Sequence, residues 1–293
     1  MLPLRLQIMA KMLNGVKLES VFHPSDFSEG SEIAFAHALK VALVARAKLT
    51  MLHVAASPTV EWQDFPAVRD TLERWGLIPR GSPKSAVPQL GIEVTKRISL
   101  GKDPVKACLA FLKDNSTDLL VLAVHQHQGR MRWLEKSVGK PIARKSGQMT
   151  LFIPHGLEGF VSQRDGSVSL RNILIPVARK PRPQPSLEAA ARLIRNLRLR
   201  AGTVTLLHVG PEAEMPSLRQ PDDTDWRWEK VTKSGEPADT IAQSATELHA
   251  DLIVMASEGP DGLADALRGS TSERVLQKAR CPLLSLPVGS MLG

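Results

Sequence analysis

The sequence contains one series of short segments twice, in the same order. Each of four segments from the first half of the chain has a counterpart in the second half. The pairs are 21–24 (VFHP) with 173–176 (ILIP), 49–54 (LTMLHV) with 204–209 (VTLLHV), 101–104 (GKDP) with 235–237 (GEP), and 118–123 (DLLVLA) with 251–256 (DLIVMA). This conserved order indicates a tandem duplication, so the chain must fold into one structural unit twice.

The length of the chain agrees with a duplication, because 293 residues exceed the usual size of a single domain. The predicted domains are residues 1–157 and 168–293, joined through a glycine-containing segment of little periodicity at 155–169. A hydrophobic content of 43% with 23% charged residues excludes a disordered chain. No apolar run reaches the roughly 18 residues of a membrane span. We therefore expect a soluble protein.

Short apolar runs alternate with longer helical patterns in both copies, which predicts an α/β fold with a parallel sheet covered by helices. Helices should begin near Ser28, Val68 and Asp103, and again near Ser186, Pro237 and Ser270 in the second copy. The predicted strands are 18–24, 49–54, 92–98, 119–124 and 150–154, then 172–176, 203–209, 228–231, 252–256 and 282–287. We expect the two fifth strands to pair, because a bare apolar edge strand favours aggregation.

Residues 251–276 carry the most informative local pattern. The apolar run 252–256 is typical of a buried parallel strand, and a segment with glycines follows it. Ser270 and Glu273 then have the spacing of a helix capping box. Free N–H groups at a helix N-terminus favour a phosphate, and glycine lets a ligand approach the backbone closely. The pattern is equally compatible with glycines that serve turns and a serine that only caps its helix.

These residues resemble the nucleotide loop of the universal stress protein family, Gly-x-x-Gly-x9-Gly-Ser/Thr. Gly259 is followed, after nine residues, by Gly269 and Ser270, and Ala256 stands where the family has its first glycine. The resemblance covers nearly the whole chain and implies two tandem, doubly wound, parallel five-stranded sheets. It also implies a regulatory or protective role in a stress response, exerted through ATP or a related adenine nucleotide, with Mg²⁺ accompanying the nucleotide.

The resemblance places the nucleotide mainly in the second copy, although Ala178 replaces the family's acidic residue there. The matching positions are Pro176, Val177, Val209, Ala256, Gly259, Gly269, Ser270 and Thr271. In the first copy the matching positions are Asp26, Val54 and Ser137. Asp26 either contacts adenosine or ties down its own turn. The family's glycine positions fall on Ala123, Gln126 and Lys136, and the two bulky side chains, those of Gln126 and Lys136, should exclude a phosphate, so we expect no binding in the first copy.

Several other classes of function lack support in the sequence. The net charge of +8 would suit a nucleic-acid-binding protein, but the chain has no tyrosine, few other aromatic residues and no recognisable nucleic-acid-binding motif. His125 and His127 have no carboxylate or thiolate partner with which to bind a metal. His53 and His208, at equivalent strand ends, should anchor turns rather than catalyse. The loop motifs of related ATP pyrophosphatases and nucleotidyl transferases are absent, so an enzyme is not expected.

The cellular setting follows from the same observations. Two cysteines, Cys108 and Cys281, are too few for a disulfide framework and fit a reducing cytoplasm. Residues 1–15 lack the continuous apolar core of a signal peptide. We expect a cytoplasmic protein that binds a nucleotide and an unidentified protein partner, with a pseudo-dimer inside the chain and a homodimer as a further state. The open alternative is an interaction scaffold that binds no nucleotide.

Overall fold

The computed structural model describes residues 18–124, 138–221, 225–258 and 270–288. The strands are β1 (Ser20–Pro24), β2 (Lys48–Ala55), β3 (Glu93–Leu100), β4 (Leu119–Val124), β5 (Thr150–Pro154), β6 (Asn172–Pro176), β7 (Thr203–Val209), β8 (Arg227–Lys233), β9 (Leu252–Glu258) and β10 (Leu283–Val288). The helices are α1 (Glu29–Ala45), α2 (Val68–Arg74), α3 (Ala86–Gln89), α4 (Pro104–Asp114), α5 (Gly139–Ser146), α6 (Gln184–Asn196), α7 (Pro237–Glu247) and α8 (Thr271–Lys278).

These strands form one sheet in the order β3-β2-β1-β4-β5-β10-β9-β6-β7-β8. Strands within each half are parallel, as predicted, and the halves join through antiparallel pairing of β5 with β10. Leu151 lies opposite Leu284 at this junction. The predicted pairing of the fifth strands is therefore present, and it turns the two five-stranded sheets into one continuous ten-stranded sheet.

Helices cover both faces of the sheet. Alternate residues of a strand point to opposite faces, and accordingly Val21 and Phe22 belong to two different apolar clusters. The cluster of Val21 contains side chains of α1 and α6, whereas the cluster of Phe22 contains side chains of α4, α5, α7 and α8. The fold is thus the three-layered α/β arrangement that the alternating pattern predicts.

Side-chain caps begin four of the described helices where the sequence predicts them, and the N-caps are Ser28, Asp103, Glu236 and Ser270. Ser28 Oγ accepts a hydrogen bond from the N–H of Ser31, and a carboxylate oxygen of Asp103 accepts one from Lys106. Helix α6 differs, because it begins at Gln184, ahead of the predicted Ser186, with Pro183 at its N-cap and no capping side chain. None of the helices in the described ranges is long and apolar enough to span a bilayer.

The segment between the halves is packed against the first half. Phe160 and Val161 are each only 1% exposed, and Val161 forms an isolated antiparallel bridge with Val168. The carbonyl of Gln163 accepts hydrogen bonds from Arg74 Nε and Trp75 Nε1, both at 3.1 Å. The weak periodicity of this segment therefore reflects a shaped, partly buried loop rather than an exposed linker.

Candidate functional site

Each half of the sheet has one point from which successive strands are added in opposite directions. This point lies between β1 and β4 in the first half and between β6 and β9 in the second. Ligands of open parallel sheets bind in the crevice at the carboxyl ends of the strands beside such a point. In the second half, this crevice is bordered by the ends of β6, β7 and β9. Pro176 is the last residue of β6, and Val209 is the last residue of β7.

Val177 follows β6 and forms part of the wall of the crevice. Its side chain is 2% exposed and packs in the core, so it does not face a ligand. Its N–H donates to the carbonyl of Leu207 at 2.8 Å, and its carbonyl lies 3.0 Å from Nδ1 of His208. Val177 therefore fixes the end of β7 and orients the His208 ring, a role that its position in the motif does not reveal.

Within the part of the chain that the structure describes, one ring nitrogen of His208, at the carboxyl end of β7, has no hydrogen-bond partner. A carbonyl oxygen can only accept, so Nδ1 carries the proton that faces Val177, and Nε2 of the neutral ring presents a lone pair. Nε2 is buried and has no hydrogen-bond partner among the described residues. Gly210 keeps the space beside it open, because a Cβ on that residue would lie 3.0 Å from Nε2. A buried acceptor of this kind is suited to a donor group of a ligand.

The start of α8 supplies backbone donors in the second half. Ser270 caps the helix as predicted, with its Oγ accepting from the N–H of Glu273 at 3.2 Å. The first N–H groups of a helix, here those of Thr271 and Ser272, have no acceptor within the helix and carry a partial positive charge. Both Ser270 and Thr271 are exposed. Gly259 and Gly269 lie outside the described residues.

Two ion pairs hold α8 against the beginning of α7. Arg274 Nη1 lies 2.7 Å from Glu236 Oε1, and Lys278 pairs with Asp239. Glu236 is also the N-cap of α7 and accepts from the N–H of Asp239 at 3.0 Å. These contacts lower the pKa of the Glu236 carboxyl, chiefly through the hydrogen bond from Asp239. The middle and the C-terminal end of α8 are therefore tied to the N-terminus of α7.

Ala256 lies inside a strand rather than at its end. The sequence predicts that the strand stops at Ala256, but β9 continues to Glu258 in register with β10, and Ala256 pairs with Leu286. Ser285 Oγ donates to Ser257 Oγ at 3.0 Å next to this pair. The strand is longer than predicted because β10 offers it a parallel partner as far as Val288.

The corresponding crevice in the first half is arranged differently. Asp26 Oδ1 accepts from the N–H of Ser28 at 3.0 Å and from its Oγ at 2.6 Å, which confirms that Asp26 ties down its turn. Nδ1 of His53 lies 2.7 Å from the carbonyl of Ser25, as Nδ1 of His208 lies beside that of Val177, so both histidines anchor turns as predicted. Contact of Asp26 with adenosine stays a prediction.

An aromatic ring covers His53 on one side. The Phe27 ring stacks on it with 4.0 Å between centroids, and Phe65 packs edge-on against Phe27. Val54 is half-buried at the end of β2, while Ser137, Gln126 and Lys136 lie outside the described residues. Helix α5, the counterpart of α8, begins at Gly139 without a capping side chain. The residue that matches Phe27 after β6 is Arg179, so the second half has no aromatic ring at that position.

The histidine nitrogen of the second half is the feature that sequence reasoning missed. The repeated Leu-His-Val segment marks both histidines, but it does not show that Nε2 of His208 is buried without a partner among the residues that the structure describes. A metal centre has no support in the described ranges, where no three His, Cys, Asp or Glu side chains lie together. His125 and His127, which the sequence singles out as a pair, lie outside those ranges.

Comparison with known proteins identifies what the chain resembles. The model of the universal stress protein family matches residues 19–154 and 227–287. A universal stress protein of Methanocaldococcus jannaschii is 48% identical over 50 residues, which are 17% of this chain and 29% of that protein. The universal stress protein E homolog of Haemophilus influenzae is 36% identical over 72 residues, which are 25% of this chain and 23% of that protein. The chain thus aligns with less than a third of either relative.

Solved structures extend the comparison over almost the full chain. A universal stress protein from Archaeoglobus fulgidus superposes with a TM-score of 0.58 at 17% identity, covering 92% of this chain and 98% of that one. A putative universal stress protein from Pseudomonas aeruginosa gives a TM-score of 0.56 at 14% identity, covering 95% of both chains. At these identities the likeness shows the shared fold.

Proposed function

Because the chain belongs to the universal stress protein family, we propose that it binds ATP or a closely related adenine nucleotide in its second half. In this proposal the protein acts in the cytoplasm, where the bound nucleotide determines its regulatory or protective state in a stress response. A protein partner recognises that state. The role is one of binding rather than catalysis. Residues 1–157 and 168–293 act as the two domains, and only the second carries the nucleotide.

The observation that carries the proposal is that Nε2 of His208 has no hydrogen-bond partner among the described residues. This nitrogen is a buried acceptor at the carboxyl end of β7, and a hydroxyl or amino group of a nucleoside is the type of donor that would satisfy it. The N–H groups of Thr271 and Ser272 are suited to a phosphate, and Gly259 and Gly269 precede them in the sequence. Mg²⁺ would bind with the phosphates of the nucleotide.

Ala178 weakens the site relative to a binder with a carboxylate at that position, because the second half lacks the acidic group that the first half has in Asp26. The basic residues Arg179, Lys180 and Arg182 follow at once and would compensate in part by attracting phosphate. We therefore propose weak to moderate affinity. Val177 contributes through its backbone, since its side chain lies in the core.

Titration calorimetry with MgATP tests the proposal on the full chain. The Gly269→Val variant should lose measurable binding, because its branched side chain would occupy the space that a phosphate needs. The Asp26→Ala variant is the matched control in the first half, and its affinity should equal that of the unmodified chain. Loss in Asp26→Ala with retention in Gly269→Val would assign the site to the other half.

An interaction scaffold without nucleotide is the second candidate. The first half favours it, because Asp26 is engaged in its own turn and Phe27 covers His53 there. If the unmodified chain shows no heat of binding at millimolar MgATP, the scaffold replaces the nucleotide-dependent role. A homodimer, formed through a surface other than the paired fifth strands, would be compatible with either function.

A further inference from the structure

A cavity of about 540 Å³ lies between α1 and α6, over the junction of the two halves. Leu151 of β5 and Leu284 of β10 form part of its floor, and Val41 of α1 and Leu193 of α6 form part of its walls. Most of the residues that line it are apolar. Its volume lies within the range of about 300–1,000 Å³ that is typical of sites for small molecules. None of the described residues that border the nucleotide crevice lines this cavity.

A difference between the two copies helps to form this cavity. Arg46 and Arg198 have the left-handed conformation just after α1 and α6, with φ of 53° in both, so positions along the two helices can be matched from them. Nine residues before these arginines stand His37 and Ala189. The ring of His37 packs edge-on against Phe160, with 4.7 Å between the centroids, whereas Ala189 presents only a methyl group to the cavity. The described residues therefore leave a space beside α6.

The charged residues that line the cavity are mainly basic. They are Arg46, Asp118, Arg192 and Arg195. Three positive charges and one negative charge leave a net charge of +2 on the lining. The negative charge is engaged, because Oδ2 of Asp118 accepts hydrogen bonds from the N–H groups of Glu19 and Ser20, both at 2.9 Å, and from Oγ of Ser20 at 3.0 Å. The cavity therefore combines an apolar interior with charges that favour an anion.

Arg192 is the cation best suited to bind that anion. It is half-buried in α6, and none of the salt bridges among the described residues includes it. Burial lowers the pKa of its guanidinium, and Glu188, one turn earlier in α6, acts in the opposite direction without lining the cavity. A partly buried cation of this kind is stabilised by a carboxylate that hydrogen-bonds to it.

The other two arginines have neighbours elsewhere. The side chain of Arg46 extends along Gly91, where an added Cβ would lie 3.2 Å from its Cδ. Arg195 is exposed near the end of α6 and has another interaction. These two cations add to the positive potential at the cavity, while Arg192 is the one that would contact the ligand. A single guanidinium of this kind suits a ligand with one carboxylate.

We propose that this cavity binds a free fatty acid of medium chain length, with its carboxylate on Arg192 and its chain over Leu151 and Leu284. The planar guanidinium can donate two parallel hydrogen bonds to the carboxylate. The apolar floor and walls remove the chain from water, which provides most of the binding energy. The site is separate from the nucleotide crevice, so this ligand goes beyond the proposed function.

Titration calorimetry of the full chain with dodecanoate, below the concentration at which it forms micelles, tests the proposal. Dodecanoate should bind, and octanoate should bind at least about tenfold more weakly, because its shorter chain buries fewer methylene groups. Arg192→Gln should weaken dodecanoate binding by about tenfold or more and leave dodecanol binding unchanged. Arg200→Gln removes the same charge from an exposed residue outside the cavity and should change neither affinity. Absence of dodecanoate binding to the unmodified chain, or equal affinity in Arg192→Gln, would overturn the proposal.

Photolabelling locates the bound chain independently of affinity. A dodecanoate with a diazirine at the far end of its chain should label peptides that contain Val41 or Leu193 in the full-length protein. Ala189→Phe fills part of the cavity and should suppress this labelling, compared at an equal folded fraction by circular dichroism. Labelling confined to the peptide that contains Val177 would overturn the proposal, because the chain would then lie in the nucleotide crevice. MgATP binding should be equal in Arg192→Gln and the unmodified chain, so failure of either proposal is visible separately.

Discussion

Nε2 of His37 accepts a hydrogen bond from the N–H of Phe160, 123 residues further along the chain, at 3.0 Å. The same nitrogen lies 3.2 Å from the N–H of Val161, and Nδ1 lies 2.9 Å from the carbonyl of Ile33. A carbonyl requires a proton on Nδ1, so Nε2 is an acceptor and the ring is neutral. One buried histidine thus joins α1 to the segment that leads into the second half.

We predict that this histidine makes the protein sensitive to acid. Burial lowers the pKa of His37 to about 4 from an ordinary value of 6.5, and burial also lowers the pKa of His23. Between about pH 4 and pH 6.5, His37 binds a proton in the unfolded chain but not in the folded chain. The free energy of unfolding should therefore be constant above about pH 6.5 and should fall as the pH decreases to about 4, by roughly 1.4 kcal/mol per pH unit for each proton.

Urea denaturation at a series of pH values checks this prediction. His37→Leu removes one titrating group, so the slope of stability against pH should become smaller by up to one proton. The variant should also be less stable at pH 7 by about 2–5 kcal/mol, because the N–H groups of Phe160 and Val161 lose a shared acceptor inside the protein. An unchanged slope in the variant would show that His37 does not cause the pH dependence.

A second prediction concerns the junction between the halves. Leu151 and Leu284 are opposite each other in the antiparallel pair β5–β10, and they are 3% and 7% exposed. Each change to alanine should cost about 2–4 kcal/mol. A double-mutant cycle should give a coupling of about 0.5–1 kcal/mol, because side chains directly opposite each other in an antiparallel pair interact. The control is Leu151 with Leu206, a core residue of β7, for which the coupling should be close to zero.

Much of the fold could be predicted from local patterns. Ser28, Asp103 and Ser270 cap helices as their spacing indicates, because a capping serine or aspartate acts on N–H groups only a few residues away. The start of α6 could not be predicted from Ser186, whose Oγ is buried and has no partner in the described part of the chain. Proline fixes its own φ near the helical value, which allows the helix to begin two residues earlier.

The contacts that define the site and the junction were less predictable. The bond from Phe160 to His37 joins residues far apart in sequence, and no local pattern encodes such a pair. Val177 matches a motif position, yet its side chain turns into the core because β6 continues its alternation beyond Pro176. Burial and the pairing of individual polar atoms arise only once the elements pack together.

A third prediction concerns the two thiols. Cys108 and Cys281 are buried on the same face of the sheet, and burial raises the pKa of each thiol to about 12. Because the thiolate is the reactive form, neither cysteine should react appreciably with a disulfide reagent at pH 8 in the folded protein. In urea both should react at the rate of a free cysteine. Rapid reaction of one thiol in the native protein would indicate that its surroundings open to solvent.

The last prediction separates the two histidines at equivalent strand ends. His208→Phe removes the buried Nε2 acceptor from the second half, and His53→Phe makes the same change in the first half, where Phe27 already covers the ring. Both variants lose the hydrogen bond from Nδ1 to a turn carbonyl, so both should be destabilised by about 1 kcal/mol. Only His208→Phe should weaken MgATP binding, by about five- to tenfold, which corresponds to the loss of one hydrogen bond to the ligand.

Calorimetry on the two histidine variants, compared at equal folded fractions, tests this prediction. Equal affinities would mean that Nε2 of His208 does not contact the nucleotide, whereas weaker binding only in His53→Phe would assign the site to the first half.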